Sequence, residues 1–335
     1  DITGNGMTVS GPGIEAIRLL GAELGDKIVR TPVLECRPLA DELRNETVVW
    51  GKLEFLQRTG TFKARGALAT VSSLDRDRRS AGVTAVSAGN HAIATAYAAA
   101  ANGVSAKVVM IRSANPARIR ACKAYGAEVV LADDVHSAFD IAERIQRQEG
   151  RFFVHPFEGE SVALGTGLVG VEMCEQVADF DSLIVPVGGG GLIAGISNAV
   201  KQLRPDVTIF GVEPEGADTM SRSFAAGAPQ AIDKVSTIAD SLGAPFAMQY
   251  SFELARANVD RLCRVSDTCI RNAMGLLFHR QKLLVEPACA ATTAALFGPL
   301  RDDLAGRNVL ILFCGSNIDW DTWSQQANLD YTHVD

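Results

Sequence analysis

Nothing in this chain of 335 residues has the spacing of a metal-binding motif or a disulfide framework. Its seven cysteines (Cys36, Cys122, Cys174, Cys263, Cys269, Cys289 and Cys314) form no C-x-x-C pair and are odd in number, which points to reduced thiols in a cytoplasmic setting. His136, His155, His279 and His333 show no pattern such as HExxH. There is no run of lysine and arginine, and a net charge of −7 repels phosphate backbones, so nucleic acid is not an expected partner. The chain starts at Asp1 without a basic leader followed by an apolar core, so no signal peptide is expected. The segment 182–200 carries no charge, but Pro186 and four consecutive glycines interrupt it; it reads as a strand followed by a helix, and no membrane span is expected. Repeats and low-complexity tracts are also missing.

What is present is an ordinary globular balance, 47% hydrophobic and 21% charged residues, in a length that suits one large or two medium domains. From about residue 80, short β-branched runs alternate with Ala-rich or amphipathic stretches. Strands are expected at 84–86, 107–111, 129–131, 183–187, 208–212 and 308–313, with helices at 92–101, 117–125, 138–148 and 192–203. Such alternation implies an α/β fold with parallel sheets covered on both faces. Ligands in such folds sit at the carboxyl ends of strands, so the Gly-, Ser- and Asn-rich junctions after Val86 and Val187 are the places to look for chemistry.

Four constellations stand out. Lys63 lies between Phe62 and an Ala/Gly-rich segment, where poor hydration lowers an amine's pKa and makes it nucleophilic; a lone lysine is more commonly a solvated surface group. Ser87-Ala88-Gly89-Asn90-His91 leaves a strand and enters a helix, which offers backbone N–H groups and side-chain dipoles to a carboxylate or, more simply, caps the helix. Gly188-Gly189-Gly190-Gly191-Leu192 at a strand–helix junction lets an anion approach several N–H groups. Cys314-Gly315-Ser316-Asn317, at the end of the last strand, offers a thiol and a hydroxyl to a bound heterocycle, or Cys314 is a buried structural cysteine. The glycine run also fits a dinucleotide fingerprint from Gly189 to Ala194, with Glu213 near the position of a ribose-binding acid, so an NAD-dependent oxidoreductase is a rival reading.

Taken together and in this order, the constellations resemble the fold-type II pyridoxal phosphate enzymes, most nearly the serine/threonine dehydratase and serine racemase group. Thr59-Gly60-Thr61-Phe62-Lys63-Ala64-Arg65-Gly66 resembles that group's Schiff-base motif; further matches are Gly211-Val212-Glu213-Pro214, Thr237-Ile238-Ala239-Asp240 and Leu284-Val285-Glu286-Pro287. The resemblance implies two open parallel-sheet domains of tryptophan synthase β-like architecture, a small mobile one at 75–154 and a large cofactor-binding one from 1–74 and 155–335. It implies that Lys63 carries pyridoxal 5'-phosphate and serves as the base, with Phe62 beside the ring and Asn90 on its 3'-oxygen. Gly188 to Leu192 would hold the phosphate and Cys314 would face the pyridine nitrogen, while Ser87, Ala88, Gly89, Asn90 and His91 surround the substrate carboxylate.

The implied reaction is loss of water from a β-hydroxy amino acid such as L-threonine, L-serine or a 3-hydroxyaspartate, giving a 2-oxo acid and ammonia. A racemase is the second alternative, disfavoured by Ala88 where racemases of this group commonly carry a serine. A catalytically silent cofactor-binding protein is the third. Glu213, Ala217 and Thr219, completed by the carbonyls of Leu242 and Ala244, resemble a monovalent-cation site for K+ or Na+. Relatives are commonly homodimers. Ser241 stands where many relatives have glycine, and Leu164-Gly165-Thr166-Gly167 where Ala-Gly-Gln-Gly is usual. Arg144 is a minor candidate for substrate contact. No regulatory domain is expected beyond the Cys314 motif.

Overall fold

The computed structural model describes residues 9–331. Ten strands form two sheets among these residues. They are β1 (Val33–Glu35), β2 (Val48–Leu53), β3 (Val83–Val86), β4 (Ala106–Ile111), β5 (Glu128–Ala132), β6 (Phe152–Phe153), β7 (Ser182–Pro186), β8 (Thr208–Pro214), β9 (Arg261–Val265) and β10 (Asn308–Phe313). The larger sheet runs β1-β2-β10-β7-β8-β9 and the smaller β5-β4-β3-β6. All neighbours are parallel except β1 against β2. Each expected strand and helix is present. The segment 182–200 is β7 plus the helix Gly191–Leu203, and no helix among the described residues is long and apolar enough to cross a membrane.

Four strands escape the sequence pattern for physical reasons. β1 and β6 are too short for periodicity, β9 is an edge strand with exposed arginines, and β2 is interrupted by Gly51 and by Lys52, which is buried as an ion. The strands of the large sheet's centre, β7 and β10, are buried nearly end to end, as expected of parallel strands covered on both faces.

The helix Lys63–Ser72 joins the two halves. Ala67, Leu68, Ala69 and Val71 share an apolar cluster with Ala92, Ile93 and Ala96 of the helix Asn90–Ala101, under the small sheet. The same helix packs on Glu160–Gln176 so closely that a Cβ on Gly165 would lie 2.5 Å from the Arg65 carbonyl oxygen. Behind it, a fully paired set of ions is buried. Arg65 donates to Glu54 (both oxygens, 2.8 Å) and to Glu172 (2.7 and 2.9 Å), and Lys52 donates to Glu172 at 2.5 Å and to the Thr31 carbonyl at 2.7 Å. Every seam that the lysine helix makes is thus close-packed or ion-paired.

Candidate active site

Lys63 opens that helix. The turn before it is held by the strand end it faces: Phe62 N–H donates to the Cys314 carbonyl at 3.1 Å, Ser316 N–H to the Gly60 carbonyl at 3.2 Å, and Asn317 Nδ2 to the Thr59 carbonyl at 2.6 Å. Thr59 has φ of 69°, a left-handed conformation unusual for a β-branched residue, and the Asn317 bond is what secures it. The lysine Nζ donates to the Pro156 carbonyl at 2.5 Å and lies 5.2 Å from the Phe62 ring centroid. Burial lowers its pKa to about 8. Among the described residues no carboxylate hydrogen-bonds to it.

Two adjoining cavities meet at Lys63. The inner one is bounded by Phe62, the glycine loop and Cys314, with Asn90 and Glu286 at its rim. Gly190 has φ of 93°, and a Cβ on Gly189 or Gly191 would lie 2.2 Å from Phe157 atoms, so side chains there would collide with the opposite wall. The helix Gly191–Leu203 begins at that loop and turns its N-terminal amides and dipole toward the cavity. An anion-binding cradle therefore faces a buried amine across one small cavity, which fits a phosphate-bearing aldehyde.

Cys314 is buried at the end of β10, and the neighbouring Cys289 thiol together with burial raises its pKa well above the usual value. It is a neutral thiol, able to meet a ring nitrogen without protonating it firmly. Asn90 donates through Nδ2 to Glu286 at 2.8 Å and to Ser241 Oγ at 3.2 Å, while its Oδ1 accepts from Asn317 at 3.0 Å. Glu286 is buried and its carboxyl is raised by that burial. Its second oxygen accepts from Asn317 N–H at 2.9 Å.

The outer cavity, about 270 Å³, is walled by Ser87, Ala88, Asn90 and His91 on the small-sheet side and by Ser241 to Phe246 on the other. Ser87 Oγ accepts from Gly89 N–H, which shapes the turn into the helix. His91 is buried, with pKa lowered to about 3 by desolvation, and its neutral ring donates from Nε2 to the Val154 carbonyl at 2.7 Å. It brings no positive charge to a carboxylate. Arg118, from the helix Pro116–Ala124, reaches across the cleft to Asp240 at 2.9 Å and to the Asn317 carbonyl at 3.0 Å; a Cβ on Gly89 would lie 2.5 Å from its guanidinium. Arg144 is exposed and outside both cavities.

The residues of the cation reading lie apart from Lys63. Thr219 Oγ1 donates to the Ala244 carbonyl at 2.7 Å, and Ala217 and Leu242 are buried nearby in short 3-10 turns. Glu213 is buried and its carboxyl is raised to about 7; it accepts from Met220 N–H, Ser221 N–H and Ser221 Oγ. No group of three or more His, Cys, Asp and Glu among the described residues has metal-site geometry.

The chain matches the model of the family described as pyridoxal-phosphate dependent enzyme over residues 24–315. It belongs to that family. It is 52% identical to phenylserine dehydratase of Ralstonia pickettii over 96% of this chain and 98% of that one. It is 36% identical to L-threonine ammonia-lyase of Thermotoga maritima over 91% and 76% respectively. The solved structure of maize serine racemase superposes with a TM-score of 0.88 at 33% identity, covering 94% and 97% of the two chains. This pyridoxal phosphate enzyme is a lyase of the dehydratase kind, acting on β-hydroxy amino acids.

The dinucleotide reading falls with that result. Glu213, which would have met a ribose, instead accepts the amides that start the helix Thr219–Ala226. Several site groups escaped sequence reasoning: the Pro156 carbonyl, His155, Phe157, Asn317 and Glu286. Glu286 and Asn317 lay within quoted motifs, but without a role of their own. The others are ordinary loop residues whose relevance exists only in three dimensions.

Proposed function

We propose that this enzyme converts a β-hydroxy amino acid to a 2-oxo acid and ammonia with Lys63 as both cofactor attachment point and base. One observation carries the reading: an amine with a pKa near 8 lies where a glycine cradle and a carboxylate-accepting helix start converge. Two of the named relatives are a dehydratase and an ammonia-lyase of β-hydroxy amino acids, which supports it.

When bound, pyridoxal phosphate supplies an electron sink for charge left on Cα. The chain's own groups do the rest. Gly188 to Leu192 would hold the phosphate, Phe62 would pack beside the ring, and Asn90 would bond the 3'-oxygen. Cys314, a neutral thiol, would face the ring nitrogen, where a thiol would not hold that nitrogen firmly protonated. Ser87, the backbone at Ala88 and Gly89, and the start of the helix at Asn90 and His91 orient the carboxylate. Lys63, once released, takes the proton from Cα. The enamine set free then hydrolyses in water.

Ala88 has no exchangeable proton, so racemisation is minor: formation of D-serine from L-serine at a rate comparable to 2-oxo acid release would refute that point. We further propose that residues 75–154 close as a mobile unit on 1–74 and 155–335 (of which residues 1–8 and 332–335 lie outside the described residues). The assembly is a homodimer in the cytoplasm; seven free thiols fit that compartment. We place a K+ or Na+ ion by Glu213, the Ala217 turn, Thr219 and the carbonyls of Leu242 and Ala244. A buried carboxylate beside neutral oxygens suits one monovalent charge.

The test is a panel of β-hydroxy amino acids with 2-oxo acid release followed for each, alongside the visible absorbance of the holoenzyme. Loss of that band on borohydride reduction and release from at least one substrate are expected. Absence of both defeats the proposal.

A further inference from the structure

Part of the lining of the outer cavity is aromatic. Phe153, His155, Phe157 and Phe246 form a row along it, with successive ring centroids 6.1, 4.6 and 6.0 Å apart and tilted or perpendicular planes. These are the spacings of edge-to-face packing. Phe139, from the helix Val135–Glu149 on the small-sheet side, completes the ring of apolar walls with Ile111. Two of these rings are conspicuous in a folded protein: Phe139 is 46% exposed and Phe246 37% exposed, one on each side of the cleft. Large apolar groups left partly wet beside a substrate cavity mark a place where apolar surface is covered on binding.

The charge pattern narrows the choice. Lys63 is the one cation lining this cavity, and its amine lies at the inner end. Asp240 stands on the wall near Phe246. The Asp240 carboxylate already holds the Arg118 guanidinium at 2.9 Å, so a substrate with a second carboxylate would have to displace an acid from the cation nearest to it. His155 is held neutral, with a pKa lowered to about 4 by burial, and its Nδ1 already accepts from Phe157 N–H and Glu158 N–H. A methyl group, as in threonine, would leave most of the aromatic wall uncovered.

We propose that the enzyme selects β-aryl-β-hydroxy-α-amino acids, whose ring is received by Phe153, Phe157 and Phe246 and covered by Phe139 from the opposite side. The inference rests on the dehydratase reading and adds its side-chain specificity. Phe139 and Phe246 are specificity-determining residues: they touch the ring and leave the reacting bonds to others. His155 is a positioning residue that sets the plane of Phe157. Because Phe139 and Phe246 come from the two sides of the cleft, an aryl substrate gives the sides a shared apolar partner, and a smaller side chain does not.

The test compares kcat/KM for 3-phenylserine, threonine and 3-hydroxyaspartate on the holoenzyme. The expected order is phenylserine first, by about tenfold or more over threonine, with 3-hydroxyaspartate last; differential burial of an aromatic ring easily supplies such a ratio. In Phe246→Ala and Phe139→Ala the ratio of phenylserine to threonine should fall about tenfold, mainly through a higher KM for phenylserine. Both sites are partly exposed, so folding is expected to survive; an unchanged visible cofactor band checks it. Phe246→Leu should recover part of the ratio. A wild-type enzyme that handles threonine or 3-hydroxyaspartate as well as phenylserine overturns the aryl assignment while leaving the dehydratase reading intact. Failure to release 2-oxo acid from every member of the panel overturns both.

Discussion

Two cations open the same helix two residues apart, and their surroundings are opposite. Arg65 points backward into the protein, where Glu54 and Glu172 take four of its hydrogen bonds and push its pKa upward despite complete burial. Lys63 points forward, where burial acts almost unopposed: its hydrogen bond goes to the Pro156 carbonyl, and its pKa drops to about 8. Equal burial thus gives one permanently charged anchor and one amine ready to lose its proton. Carboxylate placement makes the difference, and it separates the residue that holds the helix from the residue proposed to react.

The comparison predicts opposite consequences of removing each. Lys63→Ala should abolish 2-oxo acid formation by at least about three orders of magnitude, measured by steady-state release with the most active substrate; retention of normal turnover breaks the assignment. Arg65→Met leaves two buried carboxylates facing no guanidinium and should cost about 3–5 kcal/mol in chemical denaturation. Lys63→Met in the apoenzyme should be neutral or stabilising, since it removes a buried ammonium paired only with a carbonyl. Equal losses for the two variants would erase the distinction.

The same contrast has a pH signature. A lysine pKa of about 8 leaves about a tenth of the amine neutral at pH 7 and about nine-tenths at pH 9. Covalent attachment of pyridoxal phosphate to the apoenzyme should therefore be about tenfold faster at pH 9 than at pH 7, followed by visible absorbance. For stability the sign follows from proton binding: between about 8 and the unfolded-state value the unfolded chain holds more protons, so the lysine's contribution improves as pH rises through 8. Glu213 runs the other way. Raised to about 7, it retains its proton in the fold over a range where the unfolded chain has released it, so its contribution worsens as pH climbs from about 4.5 to 7. Potassium should relieve this at pH 8 by a Tm gain of about 2–4 °C over an organic cation, and by nearly nothing at pH 5. An equal gain at both values would remove Glu213 from the cation site.

Much of this was legible before any geometry. The tetraglycine turn, Lys63 and the Ser87–His91 turn are each short contiguous strings, and the strands that present them are β-branched runs of normal length, so pattern and punctuation suffice. Glu286, Asn317 and the Pro156 carbonyl are different. Glu286 and Asn317 are about 30 residues apart in the chain yet share a hydrogen bond, and the carbonyl that holds Lys63 is 93 residues away from it. Glu286 and Asn317 sit in recognisable strings, but nothing local marks their bond to each other or the carbonyl that Lys63 meets. The buried ion set was equally hidden, because Lys52 in a strand and Glu54 just after it look like solvent-facing charges, not the partners of an arginine on another element. The aromatic wall was missed for a third reason: its rings come from three separated segments, and a single phenylalanine is indistinguishable from core filling.

Arg118 gives the cleft one more property. Its guanidinium belongs to the small-sheet side, but the Asp240 carboxylate and the Asn317 carbonyl it grips belong to the other, directly over Gly89. Any widening of the gap must first release that grip. Added salt weakens a half-wet ion pair of this kind, so the threshold for entry and exit will fall as ionic strength climbs, independently of what happens at the reacting carbon.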